Sequence, residues 1–129
     1  MKPDQVVAAF LRTIVVCDDR RELREAISLV LADVPRFHVV GEALDGCSCL
    51  ERVREMLPDV LILDVSMPGG GPDLAKAAKD VHPTMHIVVF SGHREARVKD
   101  AMIRAGADQY VVKTGRLRPL LDALDRAFA

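Results

Sequence analysis

Val60-Leu61-Ile62-Leu63 is an unbroken run of β-capable apolar residues; Asp64 ends it, and Val65-Ser66-Met67-Pro68-Gly69-Gly70-Gly71-Pro72 follows. A strand apolar on both faces cannot leave one face in water, so the run belongs inside a sheet covered on both sides. The Pro/Gly cluster stops it at once. A carboxylate is thereby placed at the rim of a core, beside a loop expected to be mobile. α/β proteins bind ligands at such strand ends.

The rest of the chain alternates in the same way. Strand-like runs are expected over Thr13–Cys17, Phe37–Ala43, Val60–Asp64, His86–Phe90 and Gln109–Val112. Helical periodicity falls between them, over Arg21–Ala32, Cys47–Leu57, Asp73–Val81, Glu95–Ala105 and Leu117–Phe128. Pro58 ends the second of these helices, Pro72 suits the first turn of the third, and Gly106 caps the fourth. Leu74, Ala77 and Ala78 form the expected inner face of the third helix. The repeated β-α order implies an α/β fold, a doubly wound parallel sheet with helices on both faces. The 129 residues make one domain. Residues 1–12 read as an N-terminal extension and residues 13–129 as the domain. Val6, Val7, Phe10 and Leu11 have the spacing of a short amphipathic helix, but a frayed extension is the simpler expectation.

Composition excludes several classes. Half of the residues are hydrophobic, enough for a core without staples. Lys plus Arg is 18 and Asp plus Glu is 19, so direct nucleic-acid binding by this domain is not expected. No apolar run is long enough to span a bilayer, and Met1-Lys2-Pro3-Asp4-Gln5 has no signal-peptide pattern, so a cytoplasmic location is the expectation. Cys17 lies in an apolar run as a small core residue, and Cys47-Ser48-Cys49 lacks the spacing and the second pair of a zinc site. The histidines show no metal-ligand pattern.

The polar residues that end the strands carry the chemistry. The first strand ends in Asp18-Asp19, the third in Asp64, the fourth in Ser91 and the fifth in Lys113. In a doubly wound sheet these ends share one edge. Three carboxylates brought together must protonate or hold a cation, and an oxygen-only site suits Mg²⁺. A cation, a lysine and a hydroxyl around one carboxylate form a cradle for a phosphoryl group, with Asp64 as nucleophile.

Ile14-Val15-Val16-Cys17-Asp18-Asp19, Val60-Leu61-Ile62-Leu63-Asp64-Val65-Ser66-Met67-Pro68, Val88-Val89-Phe90-Ser91-Gly92 and Gly106-Ala107-Asp108-Gln109-Tyr110-Val111-Val112-Lys113 resemble the receiver domain of bacterial two-component response regulators. The wording is closest to LuxR/NarL-type receivers, which precede a helix-turn-helix output. The resemblance implies a flavodoxin-like sheet of order 2-1-3-4-5. It implies Asp64 as phosphoacceptor. Mg²⁺ would be held by Asp18 (largely through water), Asp19, Asp64 and the main-chain carbonyl of Ser66. Ser91 and Lys113 would bind the phosphoryl group, with Gly92 leaving it access. Ser91 and Tyr110 would be the switch pair, and Ser66 and His93 would tune phosphoryl lifetime. The implied partners are a sensor histidine kinase as donor and a downstream output, with a second copy of the chain as a further candidate and no membrane. Two departures stand out. Thr114 follows Lys113 where relatives carry Pro, so a trans bond or an altered loop is expected. The usual Met-Asp-Gly is absent, which leaves the start of the third helix open.

Other classes compete. Phosphatases of the haloacid-dehalogenase type also use a strand-end Asp with Mg²⁺, but place a second Asp two residues on, where this chain has Ser66. A phosphorylation-independent module of receiver shape would not need the acidic, hydroxyl and lysine positions together, and in a flavin-binding protein of this fold the acidic edge would repel the flavin phosphate.

Overall fold

The computed structural model describes residues 11–128. In chain order the elements are β1 (Arg12–Cys17), α1 (Arg21–Ala32), β2 (Phe37–Ala43), α2 (Gly46–Met56), β3 (Val60–Leu63), α3 (Pro72–Val81), β4 (His86–Ser91), α4 (Ala96–Arg104), β5 (Gln109–Val112) and α5 (Arg118–Ala127). The strands pair in parallel, in the order β2-β1-β3-β4-β5. The expected doubly wound sheet is present.

Strand periodicity divides the core in two. Val15, Cys17, Leu61, Leu63, Ile87 and Val89 face α2, α3 and α4, meeting Cys49, Val53, Ala75, Ala78 and Met102. Ile14, Val16, Val60, Ile62, Val88 and Phe90 face α1 and α5, meeting Ile27, Leu31, Leu120, Ala123 and Leu124. Each fully buried Val, Leu or Ile contributes about 1.5–3 kcal/mol of transfer free energy, so the central strands carry much of the stability. Cys17 is a buried core residue, as is Cys49, while Cys47 is exposed.

Several boundaries differ from the sequence reading. β1 begins at Arg12, whose amide donates to the Arg36 carbonyl at 2.7 Å, so the last residue of the expected extension is in the sheet. Val6, Val7 and Phe10 lie outside the described residues. β3 stops at Leu63 and β4 continues through Ser91. Leu57 lies outside α2, closing it in a left-handed conformation (φ 42°) immediately before Pro58. The inner face of α3 is Leu74, Ala75 and Ala78, with Ala75 in the place expected for Ala77. The helix buries neighbours at i, i+1 and i+4. Pro72 stands at its N-terminus after Gly71, without a side-chain cap.

The loop after β3 comes close to its surroundings at two of its glycines. A Cβ on Gly70 would stand 2.3 Å from the Asp64 carbonyl oxygen, and one on Gly46 would stand 2.5 Å from the Gly69 carbonyl oxygen. The Gly46 amide donates to the Pro68 carbonyl at 2.7 Å. Glycine is required here by close approach between the loop and α2.

Candidate functional site

The order of strands reverses between β1 and β3, so a crevice opens at their carboxyl ends. Asp18 follows β1 and Asp64 follows β3, and the Asp64 amide donates to the Cys17 carbonyl at 3.0 Å. Both carboxylates are buried, at 3% and 1% exposure. Asp18 Oδ1 accepts from the Arg20 amide at 2.8 Å and Oδ2 from Lys113 Nζ at 2.7 Å. Asp64 Oδ1 accepts from the Ser66 amide at 3.1 Å and lies 3.6 Å from Lys113 Nζ. Asp64 Oδ2 is buried with no hydrogen-bond partner among the described residues. Asp19 is exposed, and with Asp18 and Asp64 it offers carboxylate oxygens within 4.8 Å of one another.

This grouping is electrostatically strained. Burial pushes the Asp64 carboxyl above its ordinary range, the Ser66 amide and Lys113 oppose that, and Asp18 and Asp19 add to it. A buried oxygen without a donor is costly. An all-oxygen set with one orphaned lone-pair group fits a small hard cation.

The remaining candidates lie on neighbouring strands. Ser91 is buried at the end of β4; its carbonyl accepts from the Lys113 amide at 2.8 Å and its hydroxyl from the His93 amide at 3.3 Å. No hydrogen bond among the described residues joins Ser91 to the carboxylates. Gly92 is exposed, with open space where a Cβ would be. The Tyr110 hydroxyl donates to the His93 carbonyl at 2.7 Å, and His93 Nδ1 lies 3.5 Å from Glu95. Burial raises the Tyr110 pKa, the nearby Ser91 hydroxyl opposes it, and Glu95 and Asp64 reinforce it. No peptide bond among the described residues is cis, so Lys113–Thr114 is trans.

The family model for the response regulator receiver domain matches residues 14–125. The chain belongs to that receiver family. It is 34% identical over 117 residues to the response regulator GacA of Pseudomonas aeruginosa, covering 90% of this chain and 55% of that protein. The receiver therefore spans about half the length of the curated relatives it matches. Among solved structures, the signal receiver domain of NarL from Mycobacterium tuberculosis is 31% identical with a TM-score of 0.82, over 91% of this chain and 96% of that one. RcsB from Salmonella enterica, bound to promoter rprA in the presence of the phosphomimetic BeF₃⁻, is 26% identical with a TM-score of 0.81, over 88% and 66%.

The sequence reading of this receiver missed two features of the site. Gly70 backs directly onto the Asp64 carbonyl; the Pro/Gly cluster signalled a turn but not this contact. Arg24 reaches the site from α1, donating from Nη1 to the Asp18 carbonyl at 2.8 Å. Its position beside Leu23, next to the buried Ile27 stripe, was the available signal. Gly70→Ala is expected to push against the Asp64 carbonyl and to cost about 1–3 kcal/mol of stability. Urea unfolding of the variant beside the parent tests this.

Proposed function

We propose that this receiver is a phosphorylation-dependent switch in which Asp64 accepts a phosphoryl group, with Mg²⁺ required, from a phosphohistidine on a sensor kinase. The supporting observation is Asp64 itself, a carboxylate 1% exposed with one oxygen unpartnered and Lys113 Nζ 3.6 Å from the other. In the transfer an Asp64 carboxylate oxygen attacks phosphorus, the P–N bond breaks, and the leaving imidazole keeps the electron pair and takes up a proton. Mg²⁺ held by Asp18, Asp19, Asp64 and the Ser66 main-chain carbonyl would offset charge on the phosphoryl oxygens.

The chain's own residues supply the rest. Lys113, bonded to Asp18 at 2.7 Å, turns toward the new dianionic group. Ser91 gives up its acceptor role toward the His93 amide and donates its hydroxyl to a phosphoryl oxygen. Gly92 leaves the approach open. Tyr110 then exchanges its bond to the His93 carbonyl for a new position, and the surface of α4, β5 and α5 changes its affinity for an output partner. Shifting a two-state equilibrium from mostly off to mostly on needs roughly 5.5 kcal/mol; charge-assisted hydrogen bonds at roughly 1.5–3 kcal/mol each can supply most of it. Ser66 and His93 flank the group and tune its lifetime. With serine two residues after Asp64, no second acid is in place for rapid turnover, so the chain acts as a stoichiometric acceptor rather than an enzyme. This reading puts a histidine kinase upstream of the chain and an output downstream. No described helix is long and apolar enough to cross a membrane.

Incubation with Mg²⁺ and acetyl phosphate, followed by intact-mass measurement, tests the reading. One phosphoryl group per chain is expected, dependent on Mg²⁺. Release of many phosphates per chain would favour a phosphatase, and no adduct would favour a phosphorylation-independent module.

A further inference from the structure

Arg24 is held differently from the other arginines at the start of α1. Arg20 and Arg21 are exposed, and among the described residues Arg21 pairs only with Glu25 on the helix surface. The Arg24 side chain is 16% exposed, and its Nε lies 3.4 Å from Glu42 on the edge strand β2. Its Nη1 donates to the Asp18 carbonyl at 2.8 Å, the only hydrogen bond that carbonyl accepts among the described residues. A largely buried guanidinium must be matched by partners on several sides, and its planar fork holds them in fixed directions.

The place of this bond matters. The Asp18 carboxylate is fixed by the Arg20 amide and Lys113, and the Asp64 carboxylate by the Ser66 amide. Asp19 has neither hydrogen bond nor ion pair among the described residues, although its oxygens complete the cluster. Its direction is set by the peptide that joins it to Asp18, and Arg24 holds the carbonyl of that peptide. The guanidinium bonds the Asp18 main chain and pairs with Glu42, and makes no hydrogen bond to the Asp18, Asp19 or Asp64 carboxylates among the described residues.

We infer that Arg24 is a positioning residue for cation binding. It locks the Asp18–Asp19 peptide so that Asp19 presents its carboxylate to the ion, and Glu42 steadies the guanidinium from β2. The inference rests on the reading of the acidic cluster as a Mg²⁺ site, and it concerns a residue that touches neither the ion nor the phosphoryl group.

The test is Mg²⁺ titration of the unphosphorylated protein, following the amide NMR shifts of residues around Asp19 and Asp64, for the parent protein, Arg24→Met, Arg24→Lys and Glu42→Gln. Loss of a supporting contact of this kind weakens metal affinity about 10-fold to 100-fold. Arg24→Met is expected to raise the Mg²⁺ dissociation constant at least about tenfold while every folded molecule still binds one ion. Arg24→Lys, which keeps the charge and one donor, is expected to fall between, and Glu42→Gln to shift it less. A merely structural role would lower the fraction of binding-competent molecules at an unchanged dissociation constant, and that result overturns the inference. So does a dissociation constant in Arg24→Met equal to the parent's. If the parent protein itself binds no Mg²⁺, the reading of the acidic cluster fails first and the role of Arg24 falls with it.

Discussion

Asp64→Asn is expected to melt above the parent protein at neutral pH in the absence of divalent cations, and to take up no phosphoryl group. The parent buries a carboxylate beside two others, with Oδ2 lacking a donor. An asparagine keeps an oxygen to accept from the Ser66 amide and turns an NH₂ group toward Asp18 and Asp19. Removing an unsatisfied buried group is worth about 1–3 kcal/mol, or roughly 4–12 °C in a domain of this size. The sign follows from linkage. The folded-state pKa of Asp64 is raised, mainly by burial, so the fold favours its protonated form. The associated stability is fully present below the unfolded carboxylate pKa and is lost as pH rises through the folded one. The advantage of Asp64→Asn is therefore largest at neutral pH and shrinks on acidification. Mg²⁺ should narrow the gap by stabilising the parent selectively, by about 2.7 kcal/mol at a hundred times the dissociation constant. Thermal melts across pH, with and without Mg²⁺, check each part.

Lys113→Met should have the opposite and larger effect on stability. Lys113 Nζ is bonded to Asp18 at 2.7 Å and stands 3.6 Å from Asp64, with side-chain exposures of 16% for the lysine and 4% and 1% for the two acids. Removing one partner of a buried ion pair leaves the other charge uncompensated and costs about 3–5 kcal/mol. Because the crevice opens at the sheet edge and admits water, the lower end is expected, a loss of about 3 kcal/mol in urea unfolding. Asp18→Asn combined with Lys113→Met should recover part of it, because the double variant no longer buries the unmatched charge. Mg²⁺ should also recover part, by supplying the missing positive charge. Were Lys113→Met no less stable than the parent, the lysine would not be the counter-charge of this cluster.

Most of the architecture was legible because it rests on short-range signals. Val60-Leu61-Ile62-Leu63 cannot be half-exposed, and the other apolar runs repeat with helical segments between them. The polar residue at the end of each run then located Asp18, Asp19, Asp64, Ser91 and Lys113 along one edge, and the chain does bring the acids and Lys113 together. Contacts fixed only by tertiary packing were not legible. Gly69 to Gly71 read as a turn, but the signal did not reveal that the Asp64 carbonyl lies against Gly70, or that Gly69 takes a positive φ of 74° beside Gly46 of α2. Lys113 read as a phosphoryl ligand, but in this state its shortest bond is to Asp18. Arg24 carried no motif at all; its contacts depend on α1 packing so that the side chain reaches both the Asp18 carbonyl and Glu42 of β2.

Asp64 is proposed to carry a covalent acyl phosphate. The most direct measurement treats the protein with Mg²⁺ and acetyl phosphate, reduces the product with borohydride, and maps the modified residue by peptide mass spectrometry. Reduction converts an aspartyl phosphate to homoserine. Homoserine is expected at position 64, with aspartate unchanged at 18 and 19. Homoserine at Asp18 or Asp19, or a stable phosphate on Ser66 with Asp64 intact, would contradict it.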